Sequence, residues 1–336
     1  MRISVIGAGA FGTAMAIAAA RAGNEVVLWA HDPDVAATIR ETGANPDYLA
    51  GMPLSDRIHA TNDLEEAATF ADTMFMVVPS HHYREVLTNL RGHLDAHQHK
   101  GVKVISGTKG IENESLAPMS AVTADVLGGQ LAAFAVLSGP TFALETARGD
   151  PTAAVIASKD AAFAQEVQQV MSSPTFRLYH SSDVAGVELA GSLKNVIAIA
   201  AGVLEGMGLG FNTTAALITR GLHEMTRLGL ALGGRLETFA GLAGMGDLVL
   251  TCTGALSRNR TVGVLLGKGK TLDDILREAK FVAEGIKTSR AARALSERHQ
   301  IEMPIATEMC RVLYDGDSPR EALQRLMTRT LKAEVA

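Results

Sequence analysis

Two cysteines in 336 residues, Cys252 and Cys310, form no C-x-x-C pair. That excludes a disulfide framework and a cysteine-rich zinc site. It fits a reducing, cytoplasmic compartment. No excess of positive charge is present: 31 Lys and Arg stand against 36 Asp and Glu, a net charge of −5. A general nucleic-acid binder is therefore not expected, although local cations can still hold a small anionic substrate. Repeats and low-complexity linkers are absent. Uninterrupted apolar runs near the ~20 residues of a membrane span are also lacking beyond the N-terminus. The uncharged N-terminal run, residues 3–20, follows Arg2 and could pass for a secretory leader. Its glycines break a helix and strand-like sequence follows, so it reads as mature structure.

Apolar residues make up 47% of the chain and charged residues 20%, the balance of a well-packed globular protein. The length predicts two domains. The run Ile3-Ser4-Val5-Ile6 leads into Gly7-Ala8-Gly9-Ala10-Phe11-Gly12, the spacing G-x-G-x-x-G. An alanine-rich segment follows, then a second strand over 25–30. The reading is strand, tight turn, helix, strand. Gly7 permits the turn, Gly9 lets a pyrophosphate approach the backbone, and Gly12 lets the helix pack on the strand. The amides and positive dipole end of that helix face the phosphates.

Alternation of strand and helix continues through strands at 73–78, 102–106, 134–137, 152–157 and 175–179. The apolar run at 73–78 suits a strand buried on both faces of a parallel sheet. Ser80 is a candidate helix cap. From Asp183 onward helical patterns dominate: 184–203, 213–231, 238–242, 260–266, 271–277, 287–297, 304–314 and 319–327. Asp183, Asn212 and Ser318 are candidate caps. The expected architecture is a doubly wound α/β Rossmann sheet over residues 1–183, followed by an all-α domain over 184–336. The active site is expected in the crevice between them.

Lys194 stands out because its helical neighbours Ala190, Gly191, Ile197 and Ala198 are apolar. Burial lowers a lysine's pKa and suits it to proton transfer near neutral pH, whereas a snorkelling lysine at a helix seam is the plainer reading. Lys109 follows a strand end. Gly139 and Thr141 end another strand, where Gly139 allows close approach and Thr141 offers a hydroxyl. Asp247, after a glycine-rich loop, is placed to pair with Lys194 or to cap a helix. Ser257, Arg258 and Asn259 precede a helix, as an anion site or a solvated basic turn. No tyrosine among 48, 83, 179 and 314 has a lysine four residues on, which excludes the Tyr-x-x-x-Lys pair of short-chain dehydrogenases. His93, His97 and His99 lie in a polar stretch with Asp95 and read as a solvated turn rather than a metal site. Cys252 carries no mark of a nucleophile. His81 and His82, past a strand end, can line a cofactor pocket or act as an acid, and rank below Lys194.

These motifs, with Asn45-Pro46-Asp47-Tyr48-Leu49 and Glu284-Gly285, occur in an order that resembles the bacterial NAD(P)-dependent glycerol-3-phosphate dehydrogenases. The resemblance covers nearly the whole chain. It implies reversible reduction of dihydroxyacetone phosphate to sn-glycerol 3-phosphate, feeding phospholipid synthesis, and a homodimer formed through the helical domain. It implies Lys194 as proton donor and acceptor. Lys109, Gly139, Thr141, Asp247, Ser257, Arg258 and Asn259 would contact substrate. Gly7, Gly9, Ala10, Phe11, Gly12, His31, Lys109, Ala143, Arg258, Val282 and Glu284 would hold the dinucleotide, and no metal is implied. Two departures matter. Ala10-Phe11 stands where the family often has Ser-Trp, so one hydroxyl contact to a phosphate is lost. His31-Asp32 stands where a basic residue often follows the second strand. His31 can stack on or bond a 2′-phosphate and an inward Asp32 repels one, so NAD and NADP both remain open. The rival readings are a β-hydroxyacid or ketopantoate-type dehydrogenase of the same architecture and a non-catalytic NAD(P) sensor. Ser257-Arg258-Asn259 and Gly246-Asp247 favour the phosphate substrate, and retained Lys194 and Asp247 argue against a sensor.

Overall fold

The structure is a computed structural model that describes residues 1–99, 101–278, 282–331 and 333–334. The order begins β1 (Arg2–Ile6), α1 (Ala10–Arg21), β2 (Glu25–Trp29), α2 (Pro33–Thr42), α3 (Pro46–Leu49), β3 (Ile58–Thr61), α4 (Leu64–Phe70), β4 (Thr73–Met76) and α5 (Ser80–Ala96). It continues through β5 (Val102–Ser106), α6 (Met119–Leu127), β6 (Leu131–Ser138), α7 (Ala143–Arg148), β7 (Thr152–Ser158), α8 (Ala161–Met171) and β8 (Phe176–Ser181). The strands form one sheet in the order β3-β2-β1-β4-β5-β6-β7-β8. The order reverses between β1 and β4, and the glycine turn after β1 opens there. Crevices at such reversals, outside the carboxyl ends of the strands, are where open α/β sheets bind ligands.

One strand pair breaks the parallel pattern. β7 runs antiparallel to β6, while β8 is parallel to β7. Eight residues of β6 span about 26 Å, whereas the six residues of α7 span about 9 Å. So short a helix cannot return the chain to the start of the sheet, and β7 makes the return itself. The pattern predicted from sequence omitted β3, a four-residue edge strand with His59 outward and exposed. It also omitted α2, α3 and α6.

Described residues after β8 form only helices and turns: α9 (Val184–Gly206), α10 (Phe211–Ala231), α11 (Leu236–Ala240), α12 (Asp247–Thr253), α13 (Arg258–Gly267), α14 (Leu272–Glu278), α15 (Glu284–His299), α16 (Pro304–Cys310) and α17 (Pro319–Met327). Asp183 caps α9 through Gly186 N–H, and Ser318 opens α17 in a reciprocal capping box with Glu321. Two expected caps fail. Asn212 lies inside α10, whose cap is Gly210, and Ser80 is the first residue of α5, with its hydroxyl bonded elsewhere. α9 is long and apolar enough to cross a membrane by length and composition, yet its apolar window is wholly buried. It is the core helix around which α10, α12, α13 and α15 pack.

α9 and α13 lie side by side in the same direction, backbone against backbone. A Cβ at Gly202 would fall 2.0 Å from Arg260 O, and one at Gly206 would fall 2.3 Å from Val264 O. From the other side, a Cβ at Gly263 would meet Ile199 O at 2.0 Å and one at Gly267 would meet Val203 O at 2.3 Å. Two small-x-x-x-small pairs thus interlock, a geometry that only glycine permits at this separation.

Candidate active site

The turn between β1 and α1 is built for an anion. Gly7 has φ +119°, and a Cβ there would lie 2.6 Å from Val77 O. A Cβ on Gly12 would strike Gly7 O at 1.8 Å, so the helix can sit on the turn only without one. Gly9 differs from both: a Cβ there would meet nothing within 4 Å, and its φ of −68° suits any residue. Its missing side chain therefore leaves space on the open side of the turn. No side chain caps α1, so its first-turn N–H groups are free of side-chain partners. Unclaimed amides, the dipole end of a helix and an open approach fit a dinucleotide pyrophosphate. Ala10 and Phe11 form the first residues of α1, and Ala143 the first of α7. Exposed His31 lies past β2 with its ring edge-on to Trp29, centroids 5.9 Å apart. Asp32 accepts from Asp34 N–H at 2.9 Å and caps α2. Its carboxylate is thereby committed to the helix end.

Opposite the turn, three charged side chains meet. Lys194 is 5% exposed and donates to Asp247 Oδ1 and, at 2.8 Å, to Thr251 Oγ1. Lys109 donates to Asp247 Oδ2 at 2.8 Å and to Gly139 O at 3.2 Å, with Thr141 Oγ1 at 3.4 Å. Its ammonium also lies 5.6 Å from the centre of the Phe11 ring. Gly191, one turn before Lys194, makes room for this approach. A Cβ there would sit 2.7 Å from Ser138 Oγ and 3.7 Å from Lys109 Cγ. The aspartate is thus shared: each lysine holds one carboxylate oxygen.

The two ends of that arrangement differ electrically. Burial lowers the Lys194 pKa to about 7, against the opposing pull of Asp247 and with the help of Lys109. Burial pushes the Asp247 carboxyl up, but the two ammonium groups outweigh it and hold it below its ordinary value. Asp247 stays ionised beside Lys109, and Lys194 is left able to exchange a proton near neutral pH.

An amide chain links this centre to α13 and α15. Asn195 Nδ2 donates to Lys109 O at 3.1 Å, Asn259 Nδ2 donates to Asn195 Oδ1 at 2.9 Å, and Gly285 N–H donates to Asn259 Oδ1 at 2.9 Å. Ser257 accepts from Arg260 N–H and caps α13. So of the expected anion triplet, Ser257 and Asn259 are bonded internally. Arg258 has no hydrogen bond or ion pair among the described residues, and partial burial lowers its pKa, with Tyr48 pulling the other way. Glu284 accepts from Ser80 N–H at 2.8 Å and from Ser80 Oγ at 2.6 Å, and it crowds Gly110. Burial raises its carboxyl pKa against those two bonds. Val282 is 43% exposed just before α15.

Thr251 was not singled out from sequence, although it lies four residues after Asp247, the spacing that puts two residues on one helix face. His81 loses its claim as an acid: burial, then Lys287 and His82, lower its pKa to about 4. His93 and His97 face Glu65, and His99 faces Asp72. Among the described residues, no group of three His, Cys, Asp or Glu could hold a metal ion.

A sheet presenting open amides at its order reversal, across from a buried lysine–aspartate pair, suits a nicotinamide-dependent dehydrogenase acting on a CH–OH group. The profile of the NAD-dependent glycerol-3-phosphate dehydrogenase N-terminus matches residues 2–164, and that of the C-terminus matches residues 183–324. The chain belongs to this family. It is 52% identical over 334 residues to a glycerol-3-phosphate dehydrogenase [NAD(P)+] of Geobacter sulfurreducens, covering 99% of this chain and 98% of that one. The Acidobacterium capsulatum protein of the same name is also 52% identical, with 98% of each covered. The crystal structure of glycerol-3-phosphate dehydrogenase from Coxiella burnetii superposes with a TM-score of 0.92 at 39% identity, covering 98% of this chain and 99% of that one. A ketopantoate reductase from Ralstonia eutropha shares the fold at a TM-score of 0.59 and 18% identity. The chain is accordingly an NAD(P)-dependent oxidoreductase that interconverts dihydroxyacetone phosphate and glycerol 3-phosphate.

Proposed function

We propose that Lys194, made proton-labile by burial, moves the proton in this reaction, and that Asp247, shared between two lysines, holds the amine in place and keeps it protonatable. A nicotinamide dinucleotide held at the turn of Gly7, Gly9 and Gly12 would supply the hydride for the ketone carbon. As negative charge develops on the carbonyl oxygen, Lys194 Nζ stabilises it and gives up a proton, and in oxidation the neutral amine takes that proton back. Lys109 keeps the Asp247 charge compensated while Lys194 is neutral, so the buried carboxylate is never left unpaired. Thr251 Oγ1 and Asp247 Oδ1 fix the amine's direction.

Arg258, exposed at the mouth and without an internal counter-charge, is the group we assign to the substrate phosphate. Gly139, Thr141, Ser257 and Asn259 shape the wall behind it. Gly7, Gly9, Ala10, Phe11, Gly12, His31, Ala143, Val282 and Glu284 form the dinucleotide side, with Lys109 between the two. The cap holds the Asp32 carboxylate at the start of α2 but leaves its charge in place, and exposed His31 beside it can bond a 2′-phosphate, so use of both NAD and NADP is the reading we keep. The division at 183/184 follows the last strand and the first core helix. A homodimer through the helical region is supported by the exposed Phe211, Leu230 and Leu236. A cytoplasmic location, with glycerol 3-phosphate feeding phospholipid synthesis, completes the reading.

The shared carboxylate carries the proposal. The test is to mix purified protein, NADH or NADPH and dihydroxyacetone phosphate, and follow loss of the reduced nicotinamide. Turnover by the native chain that survives undiminished in Lys194→Ala would remove the assigned role. Light scattering of the native protein in solution decides the dimer.

A further inference from the structure

The segment Asn45-Pro46-Asp47-Tyr48-Leu49 helped to identify the family, yet no role above absorbs it. Asn45 is 1% exposed and precedes α3. Its side chain does not cap that helix. It reaches instead beneath the glycine turn. Asn45 Nδ2 donates to Ala8 O at 2.8 Å and to Thr13 Oγ1 at 2.8 Å, and Thr13 Oγ1 donates to the same Ala8 O at 3.2 Å. The three groups close a triangle across 37 residues of sequence, buried throughout. Among the described residues Asn45 Oδ1 has no hydrogen-bond partner, and the amide bonds through its donor side.

Its consequence lies in the peptide that Ala8 shares with Gly9. The Ala8–Gly9 peptide is trans. In a planar trans peptide the N–H points opposite to the C=O. Two donors hold the Ala8 carbonyl into the protein, and the Gly9 N–H is therefore turned outward, to the side where a Cβ on Gly9 would find open space. We infer that Asn45 is a positioning residue of the dinucleotide site: with Thr13 it fixes the Ala8–Gly9 peptide so that the Gly9 amide is presented to the pyrophosphate. This rests on the reading that the glycine turn cradles the pyrophosphate.

That peptide turns about ψ of Ala8 and φ of Gly9, and Gly9 has the wide backbone freedom of a residue without a Cβ. Without the triangle the peptide can rotate, and the amide is then presented only part of the time. Loss of one such bond corresponds to about a three- to tenfold weakening of binding. The pyrophosphate is common to both cofactors, so NADH and NADPH should weaken by the same factor.

Trp29, the single tryptophan, accepts from Gly7 N–H through its carbonyl at 3.0 Å and reports directly on this turn. Its fluorescence during titration with NADH and then NADPH gives the dissociation constants. Asn45→Ala should weaken both, raise KM for the dinucleotide more than KM for dihydroxyacetone phosphate, and lower kcat less than it raises the dinucleotide KM. Thr13→Val should act in the same direction and Thr13→Ser should restore binding. Gly9→Ala is the control, because its backbone tolerates a side chain and only an approaching ligand would meet it. If Gly9→Ala binds both cofactors normally, the reading of the turn fails and the role of Asn45 with it. If Gly9→Ala binds weakly while Asn45→Ala binds as the native chain does, the role of Asn45 alone is overturned. A lower melting temperature with native affinity in the folded fraction also overturns it. Should Asn45→Ala not fold, the Thr13→Val and Thr13→Ser pair decides: native affinity in Thr13→Val overturns the inference.

Discussion

The two walls of the crevice solve the problem of binding an anion in opposite ways. The sheet wall uses main-chain amides at a glycine turn. The helical wall holds Lys194 and Asp247 in a buried charge cluster that Lys109 joins from the end of β5, and in the proposed reading exposed Arg258 takes the substrate phosphate. Amides keep their polarity whatever the pH, and those of the first turn have no partner within the helix to satisfy them. Charges buried in pairs must be matched, and removing one member exposes the cost of the others. The sheet wall is therefore tolerant in chemistry and strict in shape, whereas the helical wall is strict in chemistry.

The largest effect should come from Lys194→Ala on the helical wall. Loss of a positioned general acid typically costs about a hundred- to ten-thousandfold in rate. The fall should appear in kcat under saturating substrates, and the dinucleotide affinity should change little, since Lys194 has no part in the glycine turn.

Asp247→Asn comes next. It leaves two lysines beside one uncharged amide, a loss of about 3–5 kcal/mol when the partner of a buried pair is removed. Chemical denaturation measures that. The same change removes a group that raises the Lys194 pKa, so the pH profile should move down. In the native enzyme, ketone reduction needs the protonated amine and should fall as pH rises through about 7, while alcohol oxidation should rise there. Stability runs with the oxidation profile. Below pH 7 both states hold the proton and the folded state carries the full cost of burying it. That cost fades as pH rises from about 7 to the ordinary value of 10.5. A reduction profile flat across this range would break the contrast between the walls.

Gly263→Ala tests shape on the helical side. Overpacking a close contact costs about 1–3 kcal/mol, and a backbone neighbour at 2.0 Å puts this case at the upper end. KM for the phosphate substrate should rise with it. Arg258→Ala, by contrast, removes no internal partner. It should leave melting unchanged and raise KM for dihydroxyacetone phosphate, with little effect on kcat. The smallest change is expected on the sheet wall from Asp32→Ala. It removes a helix cap, for about 1 kcal/mol, and should leave the ratio of kcat/KM for NADPH and NADH nearly as it was. A large rise for NADPH alone would mean that the carboxylate acts on the cofactor despite its bond to Asp34.

The sheet wall was legible in the sequence because its chemistry is local. Turn, helix and strand lie within thirty residues, and each glycine answers a constraint set by near neighbours. Lys194 was legible too, as a cation among apolar residues at helical spacing. Thr251 and the amide chain Asn195–Asn259–Gly285 were not, since polar residues inside a glycine-rich helical stretch look alike until their partners are known. Ser80 was misread for the same reason. As a serine at a helix start it suggested a cap, yet its hydroxyl and amide serve Glu284, 204 residues away. The reversal at β7 follows from the length of α7, whose end is marked by a left-handed Gly149 and by Pro151 two residues on, a stop signal that went unread. The paired glycines 202/206 and 263/267 carried a readable signal, four-residue spacing on two helices, that went unread.

Those glycines make the molecule a gauge. In the proposed reading Lys194 and Arg258 meet the substrate from two helices whose separation is set, at the four glycines, by main-chain atoms with no side chain between them to compress or swing aside. The jaw opening therefore cannot adapt to the object placed in it. A phosphorylated ketone one carbon longer or shorter must be accommodated by the lysine and arginine arms alone. Discrimination by length is then a property of the frame, inherited by every variant that leaves the four glycines in place.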